Sequence, residues 1–120
     1  MSRMRNDPPI VTWTVDTDRA AETAALKRWL VEQTDPGRTF VGEAVSYPGG
    51  KKVAVATEYR ICDLFEEISI DDTSRPGALI VSFHRRPSAD GRWKDLMLAI
   101  IRSVEAKHAK VTMRRESLSA

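Results

Sequence analysis

The stretch Ala78-Leu79-Ile80-Val81-Ser82-Phe83-His84-Arg85-Arg86-Pro87, with the run from Trp93 to Val104 behind it, decides how this chain folds. Ala78 to Phe83 is a short apolar run with β-branched and aromatic side chains, which predicts a buried strand. His84-Arg85-Arg86-Pro87 predicts a basic turn. Beyond it, Trp93, Leu96, Met97, Ile100, Ile101 and Val104 recur at the spacing of one helical face. A strand followed by a helix of this amphipathicity must bury one side of each against a common core. The turn between them holds the densest positive charge of the chain, at a helix N-terminus where free backbone N–H groups favour anions.

Working outward, the N-terminal half supplies the partners. Ile10 to Val15 alternates, with Val11, Trp13 and Val15 on one side and Thr12 and Thr14 on the other, as in a strand. Asp16-Thr17-Asp18 offers N-cap candidates for a helix running to about Gln33. Its inner stripe reads Ala21, Ala25, Leu26, Trp29, Leu30 and Gln33. Thr34-Asp35-Pro36-Gly37 ends it. Thr39 to Tyr47 and Lys51 to Ile61 predict a hairpin around Pro48-Gly49-Gly50. Residues 62–72 are ambiguous between helix and strand; a helical turn at Asp63–Glu67 followed by an extended piece is the expectation. Asp71 to Gly77 is a loop. Ala109 to Met113 predicts a last edge strand.

This order gives an α+β domain. The expected form is a single antiparallel or mixed sheet of about four to six strands, with two long helices on one face, ferredoxin-like or a related sandwich. Residues 10–113 form the domain, 1–9 a disordered N-terminal arm and 114–120 a flexible tail. A sheet covered on one side leaves its far face to be covered, so a homodimer through that face or a sheet edge is expected.

Composition bounds function more than it defines it. The chain has 120 residues, 42% hydrophobic and 30% charged, with a net charge of +2. That size suits one core, and so small a net charge is no signature of nucleic-acid binding. The charge is segregated. Glu58 to Ser74 holds six acids against Arg60, and Arg75 to Ala120 holds ten bases against four acids. No apolar run approaches a bilayer span or a signal-peptide core, and Cys62 is the single cysteine, so the expected setting is cytoplasmic.

Candidate sites follow from residue type. His84, Arg85, Arg86, Arg92 and Lys94 form the anion or partner site, since guanidinium forks suit carboxylate or phosphate. The plainer reading is a solvated loop whose arginines pair with Asp90, Asp95 or the acidic segment. No Gly-rich phosphate loop accompanies it. The element order resembles that of RNA-recognition modules in topology alone, without their Arg/Lys-Gly-aromatic strand motif. Trp13 and Tyr59 therefore read as packing. Trp29, Tyr59 and Trp93 mark a candidate pocket between helix and sheet. Cys62 beside Asp63, and Glu43 with Glu58 across the hairpin, are the nearest approach to catalytic sets, and neither shows a motif. Glu66, Glu67, Asp71 and Asp72 lack the Ca²⁺-loop pattern. No catalytic residue, metal site or cofactor is assigned. The leading expectation is a small non-catalytic binding or regulatory protein that meets an acidic protein or nucleic acid through the basic turn. The alternative is a small-molecule sensor or minor enzyme using the pocket.

Overall fold

The computed structural model describes residues 9–108 and 110–115. The expected N-terminal arm, apart from Pro9, and most of the expected tail lie outside these residues; the Pro9 carbonyl accepts from the Arg85 backbone N–H at 2.9 Å. The elements are β1 (Ile10–Asp16), α1 (Ala20–Gln33), β2 (Thr39–Ser46), β3 (Val53–Arg60), α2 (Ile61–Leu64), β4 (Phe65–Asp71), β5 (Ala78–Arg85), α3 (Arg92–Lys107) and β6 (Lys110–Arg115), with a 3₁₀ turn at Pro48–Gly50. The fold is α+β. Arg114 and Arg115, expected in the tail, continue β6 beside β1.

Four strands form one sheet in the order β4-β5-β1-β6, and β2-β3 forms a second, two-stranded sheet. Every pairing is antiparallel. The expected single sheet is thus corrected to two. Strand periodicity marks an extended segment with two faces, and does not say which strand it will pair with.

Registers assign the faces. Val11 lies opposite Phe83, Trp13 opposite Val81 and Val15 opposite Leu79; Ile68 and Ile70 continue this row on β4. These side chains join Leu26 and Leu30 of α1 and Trp93, Leu96, Met97, Ile100, Ile101 and Val104 of α3 in one core. Each apolar position predicted for α3 is buried. Helix α1 differs: Thr23, Leu26 and Leu30 face inward, while Ala21 and Ala25 are exposed. Small alanines gave no reliable mark of its inner side.

The helix entry also differs from expectation. Arg19 is the N-cap residue, without a side-chain cap. The Thr17 hydroxyl organises this corner instead, within 2.7 Å of the Thr23 hydroxyl and donating to the Gly77 carbonyl at 3.1 Å. Buried hydroxyls mostly find such partners. At the other end Thr34 closes α1, its backbone N–H and hydroxyl both donating to the Leu30 carbonyl.

The hairpin packs on α3. A Cβ built on Gly42 would stand 2.6 Å from Ala99 Cβ, so only a glycine lets strand and helix approach this closely. Phe40 and Tyr59 bury beside that contact. Gly49 and Gly50 take positive φ in the turn, where a side chain would be strained. Farther from α3 the hairpin stands in solvent: Val53 to Ala56 are all exposed.

Candidate functional site

The basic turn is built where β5 ends and α3 begins. Alternation along β5 sends Phe83 and Arg85 to the helix side and His84 to the opposite one. The Arg85 guanidinium therefore lies over the buried Trp93 ring, 4.9 Å from its centroid. The Lys94 ammonium lies 5.6 Å from the same centroid. Cations near an indole are held by its quadrupole, by roughly 0.5–1 kcal/mol where exposed.

The other expected members take different roles. Arg92 Nε meets both Asp90 carboxylate oxygens at 3.0 and 3.1 Å, and the Arg92 backbone N–H donates to Asp90 Oδ1 at 2.9 Å. These bonds hold the Asp90 carboxyl below its ordinary range, the Arg92 side chain contributing most. Arg86 Nε donates to the Cys62 carbonyl at 2.5 Å, tying the turn to α2. His84 Nε2 lies 3.4 Å from the Ser69 hydroxyl, on the sheet face away from the helices. Arg85 and Lys94 thus both stand at the Trp93 ring, Arg92 is paired with Asp90, Arg86 ties the turn to α2, and His84 stands apart.

Tyr59 lies near Arg92 and Asp95. Burial pushes its hydroxyl pKa up, nearby Asp95 adds to the rise, and Arg92 opposes it. The surroundings of Arg92 are acidic beyond Asp90, with Asp63 as well as Tyr59 acting on it.

The expected pocket residues are separated. Tyr59 and Trp93 belong to the core. Trp29 lines a shallow hollow of about 250 Å³ with Glu22, Ala25, Leu26, Lys107 and His108. There Lys107 Nζ stands 5.4 Å from the Trp29 centroid and His108 Nε2 lies 3.3 Å from Glu22 Oε1. Two further hollows of about 230 Å³ open beside Ile68 and Ile70 and between β2 and α3, and neither includes Tyr59 or Trp93.

The remaining candidates are not assembled. Cys62 Sγ lies 4.0 Å from Asp63 Oδ1 and 4.0 Å from Arg60 Nη2, while the histidines contact Ser69 and Glu22. Glu43 lies opposite Ala56, and Glu58 opposite Val41, so the two carboxylates are offset across the hairpin. No group of three or more His, Cys, Asp or Glu suited to a metal ion occurs among the described residues. No described helix is long and apolar enough to cross a membrane. Trp13 and Tyr59 are 8% and 2% exposed, which leaves neither ring open for base stacking.

What the sequence reading missed is the outer hairpin. Val41, Val45, Tyr47, Val53 and Val55 are exposed. Its signal was present as apolar residues on both faces of the arms, more than one buried face requires. Searches against known families, curated proteins and solved structures find no match for this chain.

Proposed function

We propose that this chain is a small non-catalytic binding protein that meets an acidic protein surface through Arg85, Arg92 and Lys94. The observation carrying this reading is the gathering of cations from β5 and the first turn of α3 around the Trp93 ring. The buried indole fixes where these charges stand, so less of their freedom is lost on binding. An acidic protein is favoured over nucleic acid because Asp63, Asp90 and Asp95 interleave with the bases. A phosphate backbone carries its charges at fixed spacing and would meet those carboxylates as repulsion, whereas a protein surface can set bases opposite them, and no aromatic within the described strands is exposed.

The finer fold reading is a ferredoxin-like sandwich. With the β2-β3 hairpin and the short α2 treated as an insertion, the succession strand-helix-strand-strand-helix-strand and the order β4-β5-β1-β6 support it. A reducing, cytoplasmic setting suits its single free cysteine.

Retention on immobilised polyglutamate and on single-stranded DNA, across a salt series, tests the binding reading. The wild type binds polyglutamate at low salt and releases it as salt rises. Arg92→Glu with Lys94→Glu loses this binding at a nearly unchanged thermal midpoint, since both residues are exposed. Arg86 is left intact because its bond to Cys62 is structural. Unchanged binding in the double variant, or a preference for DNA, sinks the reading.

The hollow beside Trp29 supports the second reading, a small-molecule sensor. Its indole, Lys107 and His108 suit an aromatic carboxylate, and benzoate and indole-3-carboxylate are the probes. Thermal stabilisation by them that Trp29→Ala removes would favour that reading.

A further inference from the structure

The hairpin turns one uncharged face from root to tip. Alternation puts Phe40, Gly42 and Ser46 of β2 with Val53, Val55, Thr57 and Tyr59 of β3 on that face. At the root the face is docked: Phe40 and Tyr59 are buried and Gly42 touches Ala99. At the tip the same face is open, with Val53 37% and Val55 53% exposed. Val41, Val45 and Tyr47 add to this apolar exposure, and Val31 is the one other large exposed hydrophobe among the described residues. Strand β3 pairs with β2 alone among them. Its outer edge therefore offers unpaired backbone groups, a template for another strand.

We propose that the outer edge of β3 pairs antiparallel with β3 of a second copy, centred on Val55. The charge sequence identifies a copy of this chain as the occupant. In an antiparallel pair about a two-fold axis at Val55, Val53 falls opposite Thr57 and Lys52 falls opposite Glu58. The symmetry makes each of these pairings twice. Lys52 and Glu58 are both exposed and of opposite sign, and opposite charges directly across a sheet stabilise it. Ala54 falls opposite Ala56, so nothing bulky or like-charged blocks the register. The two hairpins become a four-stranded sheet, past the two-stranded size that is marginal in water. This association is independent of the acidic-partner reading and uses none of its residues.

Sedimentation equilibrium over a micromolar to millimolar range tests it. The wild type is expected to dimerise with rising concentration. Lys52→Glu alone and Glu58→Lys alone, each creating two like-charge pairs, shift the equilibrium to monomer by at least tenfold in dissociation constant. The chain carrying both substitutions regains the dimer. Circular dichroism reports whether each variant is folded. As a second measurement, Val55→Cys in a Cys62→Ser background forms a disulfide-linked dimer on mild oxidation, and Val41→Cys in the same background does not. A wild type monomeric throughout, a dimer indifferent to both charge reversals, or equal crosslinking at the two positions overturns the proposal.

Discussion

Helix α3 and the β2-β3 hairpin lie against each other, and both carry apolar residues at the period of their secondary structure. Their fates differ. Leu96, Ile100 and Val104 of α3 are wholly inaccessible, whereas Val53 and Val55 of β3 are exposed. Periodicity fixes which side chains share a face. It does not fix whether the face finds a partner within the chain. For α3 the partner is a four-stranded sheet. The hairpin docks on α3 through its root, at Phe40, Gly42 and Tyr59, and beyond it Val53 to Ala56 are exposed. An apolar face that a fold builds but does not cover is a surface for association.

The sharpest way to break this comparison is to shorten one side chain in each region. Ile100→Ala removes a fully buried side chain and leaves a cavity, with an expected loss of about 2–5 kcal/mol in urea denaturation. Val41→Ala, at a position 61% exposed, is expected to stay within about 0.5 kcal/mol of wild type. Measured at low micromolar concentration, the two values separate body from arm. Similar costs would mean that the arm is part of the folding core.

The same contrast explains what could be read from the sequence. The stripe from Trp93 to Val104 was legible because Leu, Ile and Val at helical spacing have one economical resolution, burial against a sheet. The turn Pro48-Gly49-Gly50 was legible because its glycines mark positive φ. Helix α1 was read at the right place with a partly wrong stripe, since alanine is tolerated on either side and Thr23 gave no apolar signal. The sheet partition was not legible. The hairpin's seat on α3 brings together Gly42 and Ala99, residues far apart in sequence, whose small size is visible only as an absence. The basic cluster was legible as composition, but the division of labour among Arg85, Arg86 and Arg92 follows from where Trp93, Cys62 and Asp90 stand in space. His84 was separable in principle, because strand alternation alone puts it on the other face from Arg85.

The seam between the two regions gives the next prediction. Gly42→Val drives a side chain into Ala99, and overpacking of this kind costs about 1–3 kcal/mol. The expected damage is local. Amides of β2 and β3 exchange faster while those of β1 and β5 keep their protection. Ala99→Gly in the same chain recovers part of the loss, seen as a favourable coupling in a double-mutant cycle. Additive losses would show that the hairpin is held elsewhere, with Phe40 and Tyr59 the first places to look.

The smallest effect separates the two turns by pH. In the loop after β4, Asp71 Oδ1 accepts from the Thr73 backbone N–H at 2.8 Å and from the Thr73 hydroxyl at 2.7 Å, and Oδ2 accepts from the Ser74 hydroxyl. These bonds, the one from Ser74 foremost, favour the charged form and hold the Asp71 carboxyl at about 2 instead of its ordinary 3.8. A depressed folded value means the contribution is complete above the unfolded value near 4 and is lost as pH falls toward about 2. The hairpin turn has no such dependence. It closes through Gly50 N–H to the Tyr47 carbonyl at 3.1 Å, and its glycines do not titrate. Carboxyl-detected NMR should therefore show Asp71 titrating well below an exposed aspartate, with the Thr73 amide moving at the same midpoint. The Gly50 amide should stay still over that range. An ordinary Asp71 midpoint, or a Gly50 amide that moves with Thr73, would mean that loop and arm respond as one unit.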